Sequence, residues 1–134
     1  MSAAQIYVNL PVADLDRSVR FFSALGFAFD PRFTDDKATC MIVGDGIFVM
    51  LLVRSFFQTF TTRPVCAGDC TEAILCLSRE SRAAVDTMVD RARAAGARVP
   101  AEAIDHGFMY QHGFEDPDGH LWELMVMDAA CPVA

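Results

Sequence analysis

The acid at position 123 is the residue whose surroundings most demand a chemical role. Glu123 lies between Trp122 and Leu124 in an otherwise apolar stretch, where an idle buried charge costs several kcal/mol unless it is paired. Such a group serves as a general base or accepts a ligand's hydrogen bond. His106, His112 and His120 fall in the last third of the chain, and imidazole is the side chain that ligates metals and moves protons near neutral pH. His120 follows Gly119 in a turn and is expected at the surface. Tyr110, His112 and Phe114 share one face of a strand. Turned inward, that face brings His112 beside Glu123; otherwise His112 is a cross-strand polar neighbour. Cys66 and Cys70 lack the spacing of a zinc or redox motif, and no neighbouring histidine completes a set. Cys40 and Cys76 sit in apolar strands and are expected to be small core residues.

The elements that must position these groups occur twice. Residues 5–12 alternate, with Val8, Leu10 and Val12 on one face and Tyr7, Asn9 and Pro11 on the other, the period of a half-buried strand. A helix follows, capped by Asp14, striped by Leu15, Val19, Phe22 and Leu25 and stopped by Gly26. Strands are then predicted over 27–33, 39–43 and 47–53. After a connector, residues 55–71, the order returns: a strand over 72–78, a helix capped by Ser78 or Ser81 with Val85, Met88, Val89 and Ala92 inward and Gly96 at its end, and strands over 98–103, 108–114 and 121–127. Asp116-Pro117-Asp118-Gly119 is the turn between the last two. The aromatic cluster Phe56, Phe57 and Phe60 in the connector reads as a cavity cap or a dimer contact.

Composition narrows the class. The 134 residues are 53% hydrophobic and carry 11 basic against 18 acidic side chains, a formal net charge of −7, with a pI near 4.7. One soluble domain is expected over 1–134, since domains run to roughly 100–150 residues. Excess negative charge without a basic patch argues against nucleic acid. The longest apolar run, residues 47–53, is far short of the roughly 20 residues of a membrane span. Five cysteines without a CxxC pair, behind a start lacking the features of a secretory signal, are read as a reduced cytoplasmic protein.

Two segments carry a family resemblance. Val12-Ala13-Asp14-Leu15-Asp16-Arg17-Ser18-Val19-Arg20-Phe21-Phe22 followed by Leu25-Gly26-Phe27 resembles the VxDLxxSxxFY and LGF of the vicinal oxygen chelate superfamily, and Phe114-Glu115-Asp116-Pro117-Asp118-Gly119-His120-Leu121-Trp122-Glu123-Leu124 resembles its FxDPDGxxxEL ending. The superfamily includes glyoxalase I, extradiol dioxygenases, fosfomycin resistance enzymes and bleomycin-sequestering proteins. Asp105-His106-Gly107-Phe108-Met109-Tyr110 resembles a glyoxalase-like subgroup usually described by similarity to lactoylglutathione lyase, a likeness of fold and not of activity.

The resemblance implies an α+β fold: two tandem βαβββ modules, about 4–54 and 72–128, forming a curved sheet that encloses a cleft, with helices on the convex side. It implies a small-molecule cavity lined by Tyr7, Asn9, Phe48 and Met50 and by Glu72, Cys76 and Glu123, with Tyr110 and His112 as further ligand contacts. Transferred by position, the family's metal places fall on Tyr7, Met50, Glu72 and Glu123. Only the two glutamates are ordinary ligands for a divalent ion, Mn, Mg, Ni, Zn or Fe(II), because a phenol and a thioether are poor donors. Two readings follow. One is a glyoxalase-like lyase, not a standard glyoxalase I, whose metal assists chemistry on adjacent oxygens with Glu123 as ligand or base. The alternative is a metal-independent protein that binds or sequesters a small molecule, as bleomycin-resistance proteins do. A homodimer is expected from the family's habit.

Overall fold

A computed structural model describes residues 4–66 and 68–128. Strand β1 (Ile6–Val12) leads into helix α1 (Leu15–Ala24), then β2 (Ala28–Asp30), β3 (Ala38–Gly44) and β4 (Ile47–Val53). A one-turn helix α2 (Arg54–Phe57) opens the connector. The second series is β5 (Ile74–Ser78), α3 (Arg82–Ala94), β6 (Ile104–Asp105), β7 (Met109–Glu115) and β8 (Leu121–Met127). The two βαβββ modules of the sequence reading are therefore present, and the chain divides between residues 67 and 68 into two compact units.

In the first unit the sheet order is β1-β4-β3-β2, with β1 parallel to β4 and the other pairs antiparallel. Alternation decides its faces. Leu10, Val12, Val49 and Leu51 are buried with Phe21 and Phe22 of α1 and Leu25 at its C-terminal cap, each large side chain contributing roughly 1.5–3 kcal/mol. Asp14 caps α1 by accepting the Arg17 amide at 3.1 Å. The chain leaves α1 through Gly26 at φ +102, which lets the Phe27 amide reach back to the Phe22 carbonyl at 3.1 Å.

The second unit repeats the order as β5-β8-β7-β6, with β5 parallel to β8. Val85, Val89 and Ala92 of α3 are buried with Phe114, Trp122 and Leu124 of the sheet. Of the two candidate caps, Ser81 is the one used: its hydroxyl accepts the Ala84 amide at 3.0 Å.

Four expectations need correction. The strand expected over 27–33 stops at Asp30, because Pro31 opens a short 3-10 turn in which Asp30 accepts both the Arg32 amide and its guanidinium. Residues 98–103 contribute a single bridge, Arg98 to Glu115, before the two-residue β6; Pro100 removes a ladder donor in that stretch. Cys66 and Cys70, expected reduced, are disulfide-bonded, while Cys40 and Cys76 are free thiols; residues 68–70 form a bend that turns the chain at the second bonded cysteine. Cys76, expected in the core, is exposed because its position in β5 alternates with the helix-facing ones. Among the described residues no helix is long and apolar enough to cross a membrane.

Candidate functional site

Strand register places three β-strands around Glu123. Cys76 of β5 is its partner on one side and Gly113 of β7 on the other. Trp122 and Leu124, its neighbours in sequence, turn to the helix side and are fully buried, so Glu123 projects from the opposite face, where it is half-buried. No hydrogen bond or ion pair joins its carboxylate to another described residue. Burial, and then the nearby Glu123 charge, push the Cys76 thiol above its ordinary range.

Gly113 sets the spacing of this floor. A Cβ built there would stand 2.6 Å from the Trp122 carbonyl oxygen and 3.6 Å from Glu123 Cγ. The first distance is far inside van der Waals contact, so only glycine lets β7 lie this close to β8. Beside it opens a cavity of about 180 Å³, bordered by Pro100, Ala101, Glu102 and Ile104 on one side and by Gln111, Gly113, Leu121 and Glu123 on the other. Its walls are mainly apolar, with two carboxylates, one amide and, at its border, His112. Gln111 is oriented through its amide oxygen, 3.2 Å from His106 Nε2.

The structure sorts the predicted ligand contacts of this unit. Tyr110 faces α3 and not the Glu123 side: its hydroxyl donates to Asp86 at 2.5 Å, and the Arg82 guanidinium stacks 5.1 Å over its ring. The hydrogen bond to Asp86 raises its phenol above the ordinary value. His112 also takes the alternate position, in register with Leu124. It borders the cavity, but its Nδ1 accepts the Gly113 amide at 3.0 Å. Glu72 precedes β5 and lies at the strand's entrance, 4.0 Å from His120 Nδ1. His120, expected at the surface, is only 13% exposed in its side chain. Its amide is drawn in by Asp116, which accepts the amides of Asp118 and His120 with one oxygen and the Trp122 indole N–H with the other. Burial raises Asp116 above the ordinary carboxylate value, against the lowering effect of His120 and these donors.

In the first unit Tyr7, Asn9, Phe48 and Met50 share one face, as expected. Tyr7 is stacked on Phe48, ring centroids 4.8 Å apart, and Asn9 is in register with Met50. Asn9 therefore faces Met50 as Cys76 faces Glu123, and Tyr7 faces Phe48 as Ile74 faces Leu121. The assignment of Tyr7 and Glu72 to like places in the two modules is two residues out. Cys40, in register with Met50 on its other side, is buried, and burial raises its thiol.

These donors do not suit a resident divalent ion. The side chain paired with Glu123 is a thiol, Glu72 stands apart at the strand's entrance, 4.0 Å from His120 Nδ1, and the corresponding places of the first unit carry an amide and a thioether. Among the described residues no three His, Cys, Asp or Glu side chains form a group able to hold a metal. Sequence reasoning missed Glu102 and Gln111. The first lay in a stretch read as strand, and the second lacked any signal beyond its alternation with His112.

A family model described as bleomycin resistance protein-like N-terminal matches residues 6–44. No curated protein matched the chain. Among solved structures, hypothetical protein SA1046 from S. aureus is 26% identical, with 94% of this chain and 95% of that one covered and a TM-score of 0.79. A glyoxalase/bleomycin resistance protein/dioxygenase family enzyme from Burkholderia phytofirmans PsJN is 18% identical, with 94% and 100% covered and a TM-score of 0.79. TioX from Micromonospora sp. ML1 is 26% identical, with 96% and 100% covered and a TM-score of 0.63. The chain has the glyoxalase fold of two tandem βαβββ modules, and within its first module residues 6–44 are similar to bleomycin resistance proteins.

Proposed function

We propose that the chain binds a small organic molecule in the cavity beside Glu123, without a resident metal. The observation that carries this reading is a half-buried carboxylate with no hydrogen bond or ion pair to a described residue, projecting into a mainly apolar cavity. Desolvation of such a group is recovered when a ligand supplies the missing partner. Mostly apolar walls with a few fixed polar groups are the usual build of a small-molecule site. The likeness of residues 6–44 to bleomycin resistance proteins supports a binding role.

Thermal denaturation in a metal chelator, with and without a panel of small aromatic and aliphatic compounds, tests the reading. A compound that raises Tm in the wild type and not in Glu123→Gln is the expected result, because binding to the folded state alone is stabilising. A panel that shifts Tm only after Mn, Mg, Ni, Zn or Fe(II) is added overturns the metal-free reading and favours a site completed by a chelating ligand.

A further inference from the structure

The chemistry of the cavity narrows its occupant. Resting on the reading above, we propose that the ligand is an organic cation, an ammonium or guanidinium group carried on an apolar body of about one six-membered ring. Glu123 would meet the charged head, Leu121 and Ile104 would flank the ring, and Glu102 would stand at the border.

Two features agree on this class. The first is size: the cavity volume is about 180 Å³, and a cavity of about 150 Å³ takes a benzene molecule. Space at the floor exists because position 113 is glycine, since any side chain there meets the Trp122 carbonyl. The second is charge. The two ionisable side chains on the strands and border of the cavity, apart from His112, are the carboxylates of Glu102 and Glu123. A carboxylate accepts hydrogen bonds and donates none, so an ammonium or guanidinium head is its natural complement. No Lys or Arg stands among the residues bordering the cavity, and the one imidazole there, His112, accepts the Gly113 amide with its Nδ1. The chain's net charge of −7 adds long-range attraction for a cation.

Benzylamine, benzyl alcohol and benzoate form a matched set that keeps the ring and changes the head group. Isothermal titration of the full chain is expected to give benzylamine a Kd about tenfold below that of benzyl alcohol, the scale of one charge-assisted hydrogen bond, with no binding of benzoate. Glu123→Gln is expected to erase the preference, benzylamine then binding no more tightly than benzyl alcohol. Circular dichroism of the variant establishes that it is folded. Equal affinities for benzylamine and benzyl alcohol would overturn the cationic class and leave the binding reading intact. Binding of none of the three would overturn both. A benzylamine preference that survives in Glu123→Gln would also overturn the proposal, because the attraction would then come from the chain's general negative charge. Gly113→Ser, filling the floor, gives an independent check: it is expected to weaken benzylamine and benzyl alcohol together.

Discussion

Gly113 and Glu123 form one structural pair, since what the glycine lacks determines where the acid can stand. A methyl group at position 113 lies 2.6 Å from a backbone oxygen that has no rotamer to escape into. Gly113→Ala must therefore push β7 away from β8 or twist it locally, and an overpacked site of this kind typically loses roughly 1–3 kcal/mol. Urea unfolding is expected to show a lower midpoint with an unchanged slope. An unchanged midpoint would mean that the strands separate at no cost and that Gly113 does not define the cavity. The sequence revealed the acid but not the glycine. An acid between Trp122 and Leu124 is conspicuous in any apolar strand, whereas a glycine in a strand marks a bulge, a weak point or a close approach with equal force. Glu72 illustrates the opposite error. Counting back from the strand ends aligned it with Tyr7, and a two-residue slip preserves the face of every side chain, so alternation could not detect it.

Both modules use the same punctuation, and this made the fold legible. Asp14 and Ser81 accept amides three residues on, and each helix ends at a glycine of positive φ, Gly26 and Gly96. Periods of two and 3.6 between such marks located β1, β4, β8 and both long helices. The strands that were misjudged have no such constraint: β2 is cut short by Pro31, and residues 98–103 bridge only at Arg98. Pairing there depends on partners far away in sequence, which periodicity does not contain. If the caps are the true start signals, Asp14→Ala and Ser81→Ala should each cost about 1 kcal/mol, and the two effects should add because the sites lie in separate units. Chemical denaturation of the two single variants and the double variant measures this. A loss near zero for either would show that packing of the helix against its sheet, and not the cap, fixes that boundary.

Across the whole chain, three aspartates give stability opposite dependences on pH. Asp30 is held low by its hydrogen bonds from Arg32, and Asp105 by those from Arg82. Their contributions are present above the ordinary aspartate value and are lost as pH falls through the lowered folded values. Asp116 runs the other way. Burial raises it, so the folded state holds its proton more tightly than the unfolded chain does. Its contribution is complete below the ordinary value and is lost as pH rises through the raised one. The excess of 18 acidic over 11 basic side chains acts in the same sense as Asp116, because self-repulsion grows as carboxylates ionise. Together these effects place the stability maximum on the acid side of neutrality. Calorimetry from about pH 3 to pH 8 is expected to show Tm rising, passing through that maximum and declining towards neutral pH. Added salt should lessen the part of the decline that comes from exposed charges. Asp116→Asn separates the remainder. It places an amide N–H₂ or a single oxygen before three donors, so Tm should fall at every pH, while the slope between the carboxylate range and neutrality flattens. A variant that keeps the wild-type slope would assign the decline to surface repulsion alone, and the buried Asp116 would then be a structural acceptor whose charge state does not govern folding.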